Sequence, residues 1–147
     1  MKSLFQAIMT RFNALSGADP NQVHNAFYTA LSGRLYNSVA PQGKAQLPSG
    51  APYCVFLMVS GVPEGTFTEI QENVLIQFSL FDSESSAGTV CDNYEKLTEL
   101  FDDCELSVSG YTHIFMQRES QQLIREEEDP GIWHYMVEYR ILIEKDR

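Results

Sequence analysis

The side chains best suited to catalysis or metal binding in this 147-residue sequence are three histidines and three cysteines. They are His24, His113, His134, Cys54, Cys91 and Cys104. Zinc sites and nucleophilic triads need such residues at short, characteristic spacings or beside a carboxylate. Here they are widely separated, the cysteines form no CxxC pair, and their number is odd. We therefore expect reduced, mostly buried thiols and no zinc site, disulfide framework or catalytic triad.

Two groups of acidic residues offer carboxylates for a divalent cation or for acid–base catalysis. Residues 126–129 are four consecutive acids, but they lack the alternating oxygen ligands of a calcium loop, so we interpret them as a solvated hairpin turn. Asp102 and Asp103 are adjacent at the end of a predicted helix, where neighbouring side chains diverge, and we expect both to be solvated. The sequence has no glycine-rich phosphate-binding motif. It therefore predicts a protein that is not an enzyme and that uses no cofactor.

Charge is distributed unevenly along the chain, whose formal net charge is -10. Residues 1–63 carry one acid and four bases, a balance of +3, whereas residues 64–147 carry 19 acids and 6 bases, a balance of -13. So acidic a surface repels the phosphates of nucleic acid, which argues against a DNA-binding domain. It is compatible with a passage through which DNA slides without binding.

The length suits one domain with its own apolar core. The sequence contains no run of about 18 apolar residues, and residues 1–15 have the spacing of an amphipathic helix instead of the apolar core of a signal peptide. We therefore expect a soluble protein that stays in the compartment where it is made.

Residues 131–145 alternate between apolar and polar side chains and predict a long antiparallel strand with one apolar face. That face consists of Trp133, Tyr135, Val137, Tyr139, Ile141 and Ile143. Residues 111–126 alternate less regularly and lead into turn residues, so the two segments are predicted to form one hairpin. Helical spacing from about residue 86 to residue 101 predicts the element that covers the apolar face.

The remaining segments predict further elements of both kinds. Helices are expected over residues 2–14 and 23–31, and strands over residues 34–40, 52–60 and 72–81, with residues 106–108 as a short additional strand. Proline and glycine predict loops at residues 41–51 and 61–68. Together these predict a single α+β domain over residues 1–147, with an antiparallel or mixed sheet of about 4–5 strands, helices packed on one face and a long C-terminal β-hairpin.

Six short segments, taken in order, resemble the tail terminator and tail completion proteins of long-tailed bacteriophages and prophages, a family of small α+β proteins. They are ALSGRLY (30–36), APQG (40–43), PYCVF (52–56), IQFSLFD (76–82), LTELFD (97–102) and WHYMVEYRI (133–141). In that family an amphipathic helix, a short strand, a Pro-Gln-Gly loop, a Pro-Tyr strand, a strand ending in an aromatic residue and aspartate, a helix and a final hairpin follow in the same order. The resemblance spans residues 24–145 and covers the N-terminal helix least.

The resemblance implies a virion structural protein that forms a ring, commonly a homohexamer, on the head-proximal end of the tail tube. There it would end tail assembly and provide the surface for head–tail joining. The implied partners are further copies of the chain, the tail tube protein and the head–tail connector protein, while genomic DNA passes through without specific binding and no membrane is involved. The implied location is the virion tail, after assembly in the cytoplasm of the host bacterium.

Candidate contact residues in such a ring follow from charge and from loop position. A ring uses two different surfaces of each subunit, and bases on one can attract the acidic surface of the next. The subunit-interface candidates are Arg34, Arg118, Arg125 and Arg140. Predicted loops can become ordered on docking to the tube or connector. The docking candidates, from the two loops, are Gln42, Lys44, Glu64 and Phe67.

Three alternatives remain open at this stage. A head–tail connector or neck protein of the same assembly would show the same sequence features. A small α+β domain with an apolar cavity under Trp133 and Tyr139 could instead bind a ligand or act as an enzyme, if polar side chains converged there. A bacterial adaptor unrelated to phages would be indicated by neighbouring genes that encode no capsid, portal or tail tube.

Overall fold

The computed structural model describes residues 2–16, 23–38, 52–83, 86–126 and 132–146. In those ranges the chain forms three helices and seven strands. In chain order they are α1 (Lys2–Asn13), β1 (Leu15–Ser16), β2 (Val23–His24), α2 (Ala26–Leu31), β3 (Leu35–Asn37), β4 (Tyr53–Gly65), β5 (Ile70–Asp82), α3 (Gly88–Phe101), β6 (Tyr111–Glu126) and β7 (Ile132–Lys145). None of these three helices is both long enough and apolar enough to cross a membrane.

Strands β3 to β7 form one mixed sheet in the order β3-β4-β5-β7-β6. β3 runs parallel to β4, and every other neighbouring pair is antiparallel. β6 and β7 pair along almost their full lengths as the predicted C-terminal hairpin. The two-residue strands β1 and β2 pair separately with each other. The predicted α+β class, with a five-stranded mixed sheet, is therefore confirmed.

The core lies on one face of this sheet, beneath the helices. The predicted apolar face of β7 contributes Val137, Tyr139, Ile141 and Ile143, all fully buried. Aromatic rings link the other elements to it. The ring pairs are Phe5 of α1 with Phe56 of β4, Phe27 of α2 with Phe101 of α3, and Phe101 with Phe78 of β5, at centroid distances of 6.1, 6.4 and 4.9 Å. Offset and edge-on ring packing of this kind fixes the helices against the sheet.

The predicted loop over residues 61–68 is wrong, because β4 continues as a strand to Gly65. Proline suggested a loop, since it lacks the N–H that a neighbouring strand would accept. Pro63 is tolerated because β3 ends opposite Phe56, and no other described strand pairs with β4 on that side. The connection to β5 shrinks to residues 66–69.

Two other predicted boundaries also differ. The helix expected from residue 23 begins at Ala26, because Asn25 caps it by accepting the N–H of Tyr28 at 2.9 Å. Residues 106–108 form no strand. The side chains of Leu106 and Val108 are buried in the core, and this explains the alternating pattern from which a strand was predicted. The predicted loop at residues 41–51 and most of the hairpin turn, residues 127–131, lie outside the described residues.

Candidate interaction surfaces

A polar cluster joins the C-terminal end of α3 to the β6–β7 hairpin. Arg118 on β6 forms an ion pair with Asp102 at 3.4 Å. Its guanidinium also donates to the hydroxyl of Tyr94 on α3 and lies 5.6 Å from the centre of that ring. The Tyr94 hydroxyl donates in turn to Gln121, and the ring stacks on Tyr135 of β7 at 4.2 Å. These contacts therefore attach α3 to the β6–β7 hairpin at the solvent-exposed side of the helix.

Tyr139 closes this cluster from inside the core. Its hydroxyl donates to Asp102 at 2.5 Å, while the ring is fully buried against Phe78 and Phe101. Burial first, and the hydrogen bond to Asp102 second, raise the pKa of Tyr139 far above its ordinary value. The hydroxyl therefore stays protonated and acts as a structural donor.

The position of Asp102 corrects one prediction and bears on another. Asp102 was expected to be solvated, but it accepts from Tyr139 and pairs with Arg118; only its neighbour Asp103 is exposed. Helical spacing could not show this, since both partners come from strands far along the sequence. The space under Tyr139, where a ligand cavity was considered, is filled by Phe78 and Phe101.

The four arginines predicted at a subunit interface do not form one patch. Arg34 donates to the Pro52 carbonyl at 2.9 Å, beside the start of the β3–β4 pair. Arg125 lies 4.9 Å over the Trp133 ring. Arg118 belongs to the polar cluster just described. Each therefore has a contact within its own chain, at a different place in the fold.

Arg140 lies on the face of the sheet opposite the helices. A bulge in β6 between Arg118 and Ser120 leaves Glu119 out of the strand register, and Arg140 binds both of its carboxylate oxygens at 3.0 to 3.2 Å. Arg140 also donates to Asn73 on β5 at 2.8 Å. The resulting bridge ties three adjacent strands together, with the two-pronged geometry that strengthens an arginine–carboxylate pair.

The histidines and cysteines are scattered through the fold. His24 stacks on Tyr28 near α2, and His134 stacks on Phe81 across β5 and β7. Burial is the main reason that the pKa of His113, on β6, is lowered. Cys54 and Cys104 are buried, as predicted, and burial raises the pKa of both thiols. Among the described residues, no three His, Cys, Asp or Glu side chains are grouped so that they could hold a metal ion.

The most exposed part of the sheet is the segment Met58–Ile70, which we call the β4–β5 tip. Every residue in it is exposed. It contains five large apolar side chains among these exposed positions: Met58, Val59, Val62, Phe67 and Ile70. The register pairs Val62 with Asn73, which places it on the opposite face of the hairpin from Ile70, so apolar side chains are presented on both faces. Exposed apolar side chains in this number within one short segment are common at contact surfaces. Of these five, only Phe67 was predicted as a contact residue, because most of this stretch has the sequence pattern of a loop or of a buried strand.

The docking candidates have different positions relative to this tip. Glu64 lies in β4 and accepts from Asn73 at 3.3 Å. Phe67 occupies the turn and its side chain is completely exposed. The turn is fixed by its own hydrogen bonds, from Thr66 N–H to the Glu69 carbonyl at 2.9 Å and from Glu69 N–H to the Thr66 hydroxyl at 3.1 Å. Gln42 and Lys44 lie outside the described residues.

A groove of about 900 Å³ runs along α1 beside the end of β3, and we call it the α1 groove. Its apolar part is formed by Phe5 and Met9, which also pack against the core. The remaining lining residues are Lys2, Gln6, Thr10, Asn13, Ala14 and Asn37. Its size and its apolar floor with a polar rim are typical of a binding groove.

Comparisons with known proteins connect the fold to a virus-like particle. No protein-family model matches the sequence. No curated protein matches it either. Among solved structures, a chain of the virion of a native gene transfer agent particle is similar, with a TM-score of 0.70 and 13% sequence identity over 96% of this chain and 91% of that chain. At that identity the similarity shows a shared fold, and the fold extends over nearly the whole of both chains.

Proposed function

We propose that this chain is a structural protein of a phage-like virion, and that it forms a ring on the head-proximal end of the tail tube. The observation that carries the proposal is the shared fold with a virion chain over nearly the full length of both proteins. The ordered resemblance of its segments to tail terminator proteins supports the more specific role. In that role the chain would end tube growth, provide the surface for head–tail joining and catalyse no reaction.

Two physical features support an assembly subunit. The β4–β5 tip presents apolar side chains to solvent, and the α1 groove offers a recess of a size that suits them. The two surfaces differ, so a contact between them is head-to-tail, and head-to-tail contacts that close produce rings. The net charge of -10 disfavours tight binding of DNA, and weak binding is what a channel needs if the genome is to pass through it.

The terminator role can be tested by polymerising the tail tube in the presence of this chain. Tail tube protein from the same genome is polymerised with and without the purified chain, and the tubes are examined by negative-stain electron microscopy. We expect a ring at one end of each tube and shorter tubes as its concentration rises. A chain that stays in the supernatant and leaves tube length unchanged would refute the terminator role. Binding to the connector alone would identify a neck protein of the same assembly.

Salt should control whether the ring forms without a tube. Charge repulsion between chains of -10 opposes association at low salt, and ions screen it over a Debye length of about 10 Å at 0.1 M. We therefore expect raised ionic strength or magnesium to favour a species near 100 kDa, about six copies of 16.7 kDa, in sedimentation velocity. Identical sedimentation profiles in low and raised salt would count against this expectation.

A further inference from the structure

We propose that the β4–β5 tip of one subunit inserts into the α1 groove of a second copy of this chain. This inference rests on the proposed function for its biological setting, a closed ring. The contact itself is inferred from residues of the chain, and it can be tested without any other virion protein.

The tip has the properties of an inserting segment. Phe67 stands at its end with a relative exposure of 110%, and Val62 and Ile70 are 52% and 58% exposed on the strands behind it. The hydrogen bonds of Thr66 with Glu69 hold the turn in one conformation. An aromatic side chain on a preformed turn loses little conformational entropy when it binds, which makes it a favourable anchor.

The groove has the matching properties. Phe5 and Met9 supply an apolar floor, and the groove volume of about 900 Å³ is more than sufficient for one aromatic side chain with its neighbours. Exposed polar side chains of Gln6, Thr10 and Asn13 line the edge. They could exchange hydrogen bonds with the backbone of β4 beyond Phe56, where no described strand pairs with that edge.

Charge indicates that the occupant of the groove is another copy of the same chain. α1 contains Lys2 and Arg11 and no acid, and Lys2 is exposed at the groove. The tip contains Glu64 and Glu69, and the sequence has no base between residues 45 and 95. Lys2 at the groove and the acids of the tip attract each other and orient the approach of the two subunits.

The tip cannot reach the groove of its own chain. Asn37, at the wall of the groove, pairs with Phe56 of β4. From Phe56 to Gly65 the strand extends about 30 Å at about 3.3 Å per residue. β5 pairs with this extension up to Gly65, and β7 pairs in turn with β5, so the extension does not fold back. The contact is therefore between copies, and each copy presents one tip and one groove, as a ring of head-to-tail contacts requires.

Two single-residue variants separate the halves of this contact. Phe67→Ser removes the apolar anchor from the tip and leaves the groove intact. Thr10→Glu places an acid in the groove and leaves the tip intact. We expect each to weaken self-association at least about ten-fold in a sedimentation-velocity concentration series. The matched controls lie on β6, outside both surfaces: Leu123→Ser replaces an exposed apolar residue, and Gln122→Glu adds an acid at an exposed position. Both should assemble like the wild type.

Mixing the two defective variants gives the sharpest result. Phe67→Ser retains a groove and Thr10→Glu retains a tip, so one productive contact remains between them. The mixture should form one-to-one dimers and no rings, although neither variant associates alone. Thermal unfolding and circular dichroism of each variant establish that it is folded. If the wild-type chain assembles only on tube ends, the same variants are compared there, and the two defective ones should fail to form the ring.

The outcomes keep this inference distinct from the proposed function. Rings of wild type that persist in both defective variants would overturn the inference and leave the virion role intact. Tip-dependent oligomers that ignore tail tubes would support the inference and refute the terminator role. A Thr10→Glu variant that is less stable as a monomer but associates normally would overturn the inference, since the groove would then contribute to folding and not to association. No association of wild type alone or on tubes would refute both.

Discussion

The inner face of the sheet and the β4–β5 tip are both strand surfaces rich in apolar side chains, yet their exposure is opposite. On β7, Val137 and Tyr139 are fully buried, because the sheet face they occupy is covered by helices. On the tip, Val62 and Ile70 remain about half exposed, and no described helix packs over them. The first surface stabilises the monomer. The second gains its stabilisation only when another molecule covers it, which is the property expected of an assembly subunit.

The largest contrast should appear when one aromatic ring is removed from each surface. Phe78→Ala removes a fully buried ring that contacts Phe56, Phe101 and Tyr139. We expect it to lower the free energy of unfolding by about 3–5 kcal/mol. Phe67→Ala should leave the urea unfolding midpoint of the monomer unchanged, since its ring contacts solvent. Equal losses of stability in the two variants would contradict the division into a folding surface and an assembly surface.

A smaller contrast is expected at the end of α3. Asp102→Asn removes the charge that pairs with Arg118 while keeping an acceptor for Tyr139, and we expect a loss of about 1 kcal/mol in urea unfolding. Asp103→Asn is the matched control. Asp103 is exposed with φ of 51°, a backbone conformation that asparagine accepts readily, so its stability should change by less than about 0.5 kcal/mol. Identical effects would mean that the polar cluster does not stabilise the fold.

Alkaline pH should lower the free energy of unfolding through Tyr139, on the inner face of the sheet, without affecting the tip. The folded state raises the pKa of Tyr139 above its unfolded value, so its contribution is fully present below about pH 10 and is lost as pH rises further. Between pH 10 and 11 the stability should fall by up to about 1.4 kcal/mol on account of this group. Tyr139→Phe should make the pH dependence shallower. An unchanged slope would show that Tyr139 ionises equally well in the folded protein.

Sequence pattern was a good guide to elements whose cover comes from the chain itself. Alternation in residues 131–145 identified β7 and its buried face, and helical spacing identified α3. The tip was misassigned because glycine and proline at positions 61–65 usually break strands, and their tolerance depends on β3 ending early. That is a property of the sheet, which local pattern does not contain.

The candidate contact residues also divide into those that local sequence identified well and those whose surroundings depend on the rest of the sheet. Phe67 was chosen for its place in a predicted loop, and its exposure makes it the strongest of the eight candidates. Arg34 and Arg140 were chosen for charge alone, and both are engaged by groups of their own chain. Charge counts along a sequence cannot show this, because Arg140 meets Glu119 only through a bulge in a neighbouring strand.

Immunogold labelling of purified particles tests the central claim most directly. Particles released by cells that encode this chain would be decorated with an antibody raised against it and imaged by electron microscopy. We expect label at the junction of head and tail, and we expect cells that encode Phe67→Ser to release heads and tails that are neither labelled nor joined. Label spread along the tail or over the capsid, or particles without any label that still carry complete tails, would contradict the account.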